Sequence, residues 1–230
     1  MNIIDRILNK IVSYKINHKI FPKELAKKMP IYCSWHVKWG DEIKKNSIQL
    51  NTDEVYKGMI QIGFDRIATG LLGGKESSII IEGNGKLIFT GKADLSQGIS
   101  VHVLDDAVLT IGGGIYTNGY CSIRCSKKIT IGRNAMWGWN VFVMDTDGHP
   151  IYDMDKNIIN FNKDIIIGDD VWLGADSRVL KGAVVPDGCI VGIGSTVTRK
   201  ETKRNVIMAG SPSKIVKECI SWSREEFPKK

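Results

Sequence analysis

An aliphatic side chain returns every six residues through the C-terminal half of the chain. The positions are Ile167, Leu173, Val179, Val185, Val191 and Val197. Four residues after each of the first five, a small or apolar side chain recurs, at Val171, Ser177, Ala183, Cys189 and Ser195. A six-residue period matches neither the 3.6-residue turn of a helix nor the two-residue alternation of a long strand. It favours a strand of two or three residues, then a corner, then the next strand.

Three such sides close one turn of a prism, and successive turns stack at strand spacing, about 4.8 Å. The sequence therefore predicts an all-β fold, a parallel β-helix whose aliphatic residues point inward. The same frame continues upstream, at Ile131, Trp137, Val143 and His149. Between His149 and Asp164 the pattern fails, and the polar, turn-rich segment 149–164 is predicted to leave the prism as an extended loop.

Both ends of the chain depart from the six-residue period. Near the N-terminus apolar residues recur at helical spacing, at Ile3, Ile4, Ile7, Leu8, Ile11 and Val12. We expect an N-terminal helical segment at 1–30, the β-helix at 31–210 and a short C-terminal helix at 211–230, with Ser211 or Ser213 as its cap. Helices at both ends would cover the open turns of the prism, as solenoids require.

The net charge is +7, and residues 1–47 hold ten Lys or Arg against four Asp or Glu, a net +6. This basic end indicates an anionic neighbour or a solvated basic face. A lysine-rich amphipathic helix either lies on an anionic membrane surface or packs against the prism. Nucleic acid is disfavoured, because no aromatic side chains are interleaved with the basic ones.

The expected location is the cytoplasm, with peripheral contact at the inner face of the membrane as an option. Asp5, Arg6 and Lys10 interrupt the first apolar stretch, which is atypical of a secretory signal. The chain has five cysteines, an odd number, and we expect them to be thiols in a reducing compartment.

The run from Ile131 to Lys217 resembles the left-handed β-helix acyltransferases with hexapeptide repeats. Within them it is most similar to the sugar O-acetyltransferases, such as the galactoside and maltose enzymes and those that modify surface polysaccharides. The segments that carry the resemblance are ITIGRNAMWGWNVFVMDTDGHPI, IIIGDDVWLGADSRVLKGAVVPDGCIVGIGSTVTRK and MAGSPSKIVK. The resemblance implies acetyl transfer from acetyl-CoA to a hydroxyl of a sugar or glycan, without a metal. It also implies a homotrimer with active sites between neighbouring prisms.

His149 is the predicted general base. A polar ring is unexpected at an aliphatic frame position, and an imidazole suits proton removal from a sugar hydroxyl. Asp145 and Asp147 either orient this imidazole and bind the acceptor, or form the turn before it. Asn118 resembles a family asparagine at the acceptor site; its alternative is a corner residue in a left-handed turn.

The resemblance also implies a set of residues that bind acetyl-CoA: Trp172, Ala175, Ile193, Gly194, Ser195, Thr198, Arg199, Lys200 and Lys214. Trp172 lies off the inward frame and is expected to point outward beside the cleft, whereas Trp137 is expected to pack inside. Cationic side chains near the nucleotide phosphates have an electrostatic use, and the alternative for each is solvated surface charge.

Other functions stay open on the sequence alone. The acceptor is a sugar hydroxyl, or alternatively a serine, an amino-sugar nitrogen or an antibiotic. A non-catalytic β-helix scaffold is a further alternative, because fold does not establish function. A zinc enzyme is disfavoured, since three closely placed histidines are needed and His36 and His102 are expected to be structural or exposed.

Overall fold

The computed structural model describes residues 2–64 and 76–225. Two helices come first, α1 (Ile3–Ile20) and α2 (Lys23–Lys27). The strands of the first turns are β1 (Ile31–Cys33), β2 (Lys38–Trp39), β3 (Ile48–Leu50), β4 (Ile60–Phe64), β5 (Ser78–Ile81), β6 (Lys86–Phe89), β7 (Ala93–Ser96), β8 (Ser100–Val103), β9 (Val108–Ile111), β10 (Ile115–Thr117), β11 (Ser122–Cys125) and β12 (Lys128–Ile131). Those of the later turns are β13 (Met136–Trp137), β14 (Phe142–Met144), β15 (Ile165–Ile167), β16 (Trp172–Leu173), β17 (Arg178–Leu180), β18 (Val184–Val185), β19 (Ile190–Val191), β20 (Thr196–Val197), β21 (Ile207–Gly210) and β22 (Ser213–Lys217).

Each turn of the chain adds one strand to each of three sheets, so the predicted parallel β-helix is confirmed. Within the described ranges, one sheet has nine strands in the order β1-β4-β7-β10-β13-β16-β19-β21-β22. The second has seven, β2-β5-β8-β11-β14-β17-β20, and the third has six, β18-β15-β12-β9-β6-β3. We refer to them as the nine-, seven- and six-stranded sheets. Every strand pair is parallel except the last, β21 with β22.

Turns of the prism become shorter toward the C-terminus, apart from one turn that carries a long loop. Phe89 pairs with Ile111 and Ile111 with Ile131, which makes turns of 22 and 20 residues. Ile131 pairs with Ile167, 36 residues later, and Ile167 pairs with Val185 after 18. Only the last turns therefore have the ideal three hexapeptides, and the extra residues between Ile131 and Ile167 form the loop that leaves the prism.

The interior follows the six-residue frame. All six frame residues from Ile167 to Val197 are at most 1% exposed, and Trp137 is fully buried among them, as predicted. His149 is in phase with this frame in the sequence but does not lie in the interior, because the chain leaves the prism after Asp145 and the next inward strand begins at Ile165. His149 is exposed.

Helix α1 covers the first turn of the prism through its polar side. Asn17 Nδ2 donates to the carbonyl of Ile31 at 2.7 Å, and Asn17 Oδ1 accepts from the N–H of Ile31 at 3.1 Å. The Ser13 hydroxyl accepts from the N–H of Cys33 at 3.0 Å. These side chains satisfy backbone groups along the open edge of β1, which has no strand on that side. The helix predicted from the apolar spacing is present, but its isoleucine stripe faces away from the prism.

The predicted C-terminal helix is wrong for residues 211–225, and residues 226–230 lie outside the described ranges. Ser213–Lys217 forms the antiparallel strand β22, which pairs with β21 and closes that end of the nine-stranded sheet. The physical reason is the open edge of β21: its backbone groups offer more hydrogen bonds to a short segment than an isolated helical turn gains.

Four of the five thiols are buried, and only Cys219 is exposed. Burial raises the pKa of the Cys33 thiol to about 11 and those of Cys121 and Cys125 to about 12. In the described part of the chain, no helix combines the length and the apolar character that crossing a membrane requires.

Candidate functional site

The predicted catalytic residues lie at two corners on opposite edges of the seven-stranded sheet. The corner after β14 carries the loop with Asp147 and His149, and it joins the seven-stranded to the six-stranded sheet. The corner after β10 carries Asn118 and joins the nine-stranded to the seven-stranded sheet. We call them the His149 corner and the Asn118 corner.

His149 lines a cleft of about 430 Å³ at its corner. The cleft lies between the loop and the ends of strands β5, β8 and β11. Its charged and hydrogen-bonding lining residues include Glu82, Asp105, Arg124, Asp147 and Asn160. An exposed imidazole in a polar cleft can accept a proton from a bound hydroxyl.

Asn160 fixes the backbone on which His149 stands. Its Nδ2 donates to the carbonyl of His149 at 2.9 Å and to the Asp147 carboxylate at 2.8 Å. Its Oδ1 accepts from the N–H of Ile151 at 2.7 Å. Lys181 Nζ donates to the Asn160 carbonyl at 3.0 Å and also binds Asp147. The Asn160 amide and the Lys181 ammonium thus connect the start of the loop, at Asp147 and His149, to its end.

Asp147 takes part in the hydrogen bonds of Asn160 and Lys181. The Lys181 ammonium and the Asn160 amide both donate to its carboxylate and hold its pKa below the ordinary value of 3.8. The carboxylate is therefore ionised at neutral pH. In the described structure its hydrogen bonds go to these two groups and none is recorded to the imidazole.

Asp145 has a different position from its neighbour. It is fully buried and accepts backbone N–H groups of Ser126, Lys127 and Lys128 at 2.6, 2.8 and 2.8 Å. The carboxylate therefore holds the corner between β11 and β12. This geometry fits the turn-forming alternative and leaves no path for Asp145 to contact an acceptor.

A polar network lies beside the cleft on the seven-stranded sheet. Glu82 Oε1 is 2.6 Å from His102 Nε2, and Arg124 is 3.2 Å from His102 Nδ1. Because arginine can only donate, His102 Nδ1 accepts and Nε2 carries the hydrogen toward Glu82. His102 is therefore a structural residue, as expected, and it orients the Arg124 guanidinium at the cleft.

At the Asn118 corner the backbones of successive turns lie close together. Asn118 donates its N–H to Trp137 at 2.9 Å, and Gly138 donates to Leu173 in the next turn at 2.7 Å. A Cβ at Gly138 would lie 2.5 Å from the nitrogen of Ala175, so only glycine allows this approach. Asn118 does not have a positive φ, which disfavours its left-handed alternative.

Several predicted acetyl-CoA residues continue the same corner toward the C-terminus. Gly194 donates its N–H to Ala175 at 2.9 Å and has φ +68, with open space where a Cβ would stand. Ile193 beside it is 78% exposed. Ser195 is buried and its hydroxyl accepts from the N–H of Gly210 at 3.0 Å, so its side chain faces the protein.

The predicted polar and cationic residues lie around the last turn. Thr198, Lys200 and Lys214 are exposed. Arg199 is also exposed and donates to the carbonyl of Ser213 at 3.2 Å, which ties β22 to the prism.

Trp172 points outward from the nine-stranded sheet, as predicted, but it does not line the His149 cleft. Its ring centroid is 5.9 Å from that of Trp222 in the C-terminal segment. Trp222 in turn donates to the carbonyl of Asp170 at 2.7 Å. Within one chain Trp172 therefore packs under the C-terminal segment.

Sequence reasoning pointed to His149 and did not point to Asn160, Lys181 or Arg124, which lie in or beside the same cleft. Asn160 and Lys181 lie 11 and 32 residues after His149, and no spacing rule connects them. Arg124 had a weak signal, a charged residue between two inward positions of a strand. In the ranges 2–64 and 76–225, three side chains able to bind a metal do not cluster anywhere.

No family model matches the sequence. The chain is 35% identical over 153 residues to the polysialic acid O-acetyltransferase of Neisseria meningitidis, which covers 66% of this chain and 71% of that protein. It is 33% identical over 124 residues to the galactoside O-acetyltransferase of Escherichia coli K12, covering 54% of this chain and 56% of the relative. Among solved structures, the polySia-specific acetyltransferase NeuO superposes with a TM-score of 0.54 at 26% identity, over 86% of this chain and 81% of that one.

Proposed function

We propose that this chain, which belongs to the hexapeptide-repeat acetyltransferase family, transfers an acetyl group from acetyl-CoA to a hydroxyl of a sugar or surface polysaccharide. Membership also shows that the β-helix is left-handed, as the resemblance in sequence implied. The observation that carries the proposal is the exposed His149 imidazole, on a backbone fixed by Asn160, in an open polar cleft.

His149 is the proposed general base. Its imidazole would take the proton of the acceptor hydroxyl while that oxygen forms a bond to the thioester carbonyl carbon. The carbon–sulfur bond then breaks, and the imidazolium returns the proton to the departing thiolate. A base in this position contributes about 10²–10⁴ in rate. Asn160 contributes by holding the His149 carbonyl, which limits where the ring can stand.

Acetyl-CoA would supply the acetyl thioester, and the Asn118 corner fits it. The open space beside Gly194 and the exposed Ile193 side chain offer an apolar edge for an extended arm. Lys200 and Lys214 are both exposed at the last turn, Lys214 in β22 of the nine-stranded sheet and Lys200 beside Val184 of the six-stranded sheet, and their ammonium groups suit phosphates. Asn118 at the same corner presents an amide that can both donate to and accept from a hydroxyl.

We propose that a complete site needs two copies of the chain, arranged as a homotrimer. His149 and the Asn118 corner lie on opposite edges of the seven-stranded sheet, so they meet when the edge of one prism faces the other edge of its neighbour. The loop beside His149 supports this arrangement. It carries large apolar side chains that are 40–98% exposed and need a partner: Ile151, Tyr152, Met154, Ile158, Ile159 and Phe161.

Arg124 favours an acidic acceptor. Its guanidinium lines the same cleft as His149 and is oriented by His102. Guanidinium groups bind carboxylates in a bidentate manner, which a neutral sugar cannot exploit. The relative from Neisseria meningitidis is named for polysialic acid, whose sugars carry carboxylates. We therefore rank acidic glycans above neutral galactosides.

The test measures thiol release from acetyl-CoA with a panel of acidic and neutral sugars, oligosaccharides and polysaccharides, for the native protein, His149→Ala and Arg124→Gln. The proposal expects acceptor-dependent release that falls at least about 100-fold in His149→Ala. Arg124→Gln should raise KM for acidic acceptors and leave neutral ones unchanged.

Contrary outcomes are equally distinct. Absence of acetyl-CoA binding by calorimetry, together with absence of release with every acceptor, would favour the scaffold alternative. Release that depends on serine, an amino sugar or an antibiotic would keep the chemistry and change the acceptor. Release that survives in His149→Ala would exclude His149 as the base.

A further inference from the structure

The outer face of helix α1 is a continuous apolar stripe. It consists of Ile3, Ile4, Ile7, Ile11 and Tyr14, which are 45–75% exposed. We call it the α1 stripe. At 100° per residue these side chains fall within one side of the helix. Single exposed apolar residues are ordinary, but five on one face mark a surface that binds something.

The α1 stripe is exposed because the opposite face of the helix packs on the first turn of the prism. The inward face is mixed: Asn9, Ser13 and Asn17 bond to the backbone of the first turn. Ile16 and Ile20 are buried in the core, and Val12 packs against it. A surface helix usually presents polar residues outward, whereas the outward face of α1 is apolar. Helix α1 therefore closes the edge of β1 with one face and presents Ile3, Ile4, Ile7 and Ile11 on the other.

A groove of about 880 Å³ lies alongside the stripe, between α1 and the outer face of the nine-stranded sheet. Ile11, Tyr14 and Tyr32 give it an apolar lining, and Lys10, Lys15 and Lys57 also line it. On the helix, Lys10 lies on one side of the stripe and Lys15 on the other. The net charge of +6 in residues 1–47 surrounds the same end of the prism.

We propose that α1 docks this end of the prism on an anionic lipid bilayer. The stripe would enter the boundary between headgroups and acyl chains, with the helix axis, about 27 Å long for 18 residues, in the plane of the membrane. The lysines on its two sides would reach the phosphates of the headgroups. The groove would admit an acyl chain beneath them.

A second copy of the chain fits this surface less well. Two stripes facing each other would bring the flanking Lys10 and Lys15 of both copies together, and like charges repel. The proposed shared active site uses the two edges of the seven-stranded sheet, whereas the groove lies over the nine-stranded sheet. An assembly built on the active site therefore leaves the α1 stripe uncovered by the described residues.

The experiment is flotation of the full-length protein with vesicles of phosphatidylcholine alone and of phosphatidylcholine with phosphatidylglycerol. We expect binding only to the anionic vesicles, weakening as salt is raised. Ile11→Ser should weaken binding about tenfold, and Ile7→Ser/Ile11→Ser about a hundredfold. The matched control is Ile166→Ser on the six-stranded sheet: Ile166 is 47% exposed, against 45% for Ile11, and its replacement should change nothing.

Three results would overturn the proposal. The first is no binding of the native protein to anionic vesicles, and the second is equal binding by the native protein and Ile7→Ser/Ile11→Ser. The third is a smaller oligomer for Ile7→Ser/Ile11→Ser in light scattering, which would make the stripe an interface between copies. None of these readouts uses catalysis, so each is independent of whether the acetyltransferase proposal holds.

Discussion

Replacement of Asp145 by asparagine should lower the free energy of unfolding of the prism, because Asp145 has a structural role. The carboxylate is fully buried, and its two oxygens accept three backbone N–H groups at 2.6–2.8 Å. In Asp145→Asn one oxygen becomes an NH₂ group that cannot accept, so at least one buried donor at the 126–128 corner loses its partner.

The size of the effect follows from those bonds. Each charge-assisted hydrogen bond contributes about 1.5–3 kcal/mol, and a buried donor left unpaired costs about 1–3 kcal/mol. We expect a loss of about 2–4 kcal/mol in the free energy of unfolding. For a chain of this size that corresponds to about 5–15 °C in Tm.

The assay is thermal and urea unfolding followed by circular dichroism, with Asp147→Asn as the matched control. Within the described ranges the exposed Asp147 carboxylate bonds to Asn160 and Lys181, so its replacement should change the free energy of unfolding by less than about 1 kcal/mol. A native Tm in Asp145→Asn, or a larger loss in Asp147→Asn, would refute the assignment of Asp145 to the corner.

Three further predictions concern the loop and the thiols. Asn160→Ala should lower kcat about 10–100-fold, because His149 loses its backbone anchor, whereas Asn157→Ala at the tip of the loop should not; equal kcat values would contradict this. Because the folded pKa of Asp147 lies below its ordinary 3.8, its bond to Lys181 contributes stability above that pH and loses it as the pH falls through the depressed value. Hydrogen exchange of the loop amides, corrected for intrinsic rates, should therefore accelerate below about pH 3.8 in the native protein and show no such step in Asp147→Asn. Of the five cysteines only Cys219 should react quickly with a thiol reagent at pH 8, since burial keeps the other four protonated and inaccessible; a second fast thiol would contradict the fold at that cysteine.

The sequence predicted the prism because every sixth position is aliphatic and its side chain points into the interior. Frame residues such as Leu173 and Val191 have no other role than to fill the interior, so their spacing reports the fold directly. The structure at the two ends of the β-helix was harder to predict, because no such spacing reports it. Asn9, Ser13 and Asn17 bond to a strand edge that local sequence does not reveal, and β22 forms because β21 leaves an open edge beside it.

The candidate site shows a similar division. His149 was predicted because a histidine interrupts an aliphatic frame and because the surrounding motif resembles a known family. Asn160 and Lys181 were not found, since only the folded loop brings them to Asp147. Asp145 was a candidate because it lies close in sequence to His149, with a turn-forming role as the alternative, and its burial and backbone bonds favour that alternative.

The most direct test of the account is complementation between two inactive variants. His149→Ala keeps the Asn118 corner intact, and Gly194→Trp fills the open space at that corner while keeping His149. If each site combines the two corners from neighbouring copies, random mixing of the two variants at equal amounts restores one half times one half, about a quarter, of the native sites. The account predicts thiol release of acetyl-CoA at about a quarter of the native rate in co-refolded mixtures. Release no greater than that of either variant alone would contradict a site shared between copies.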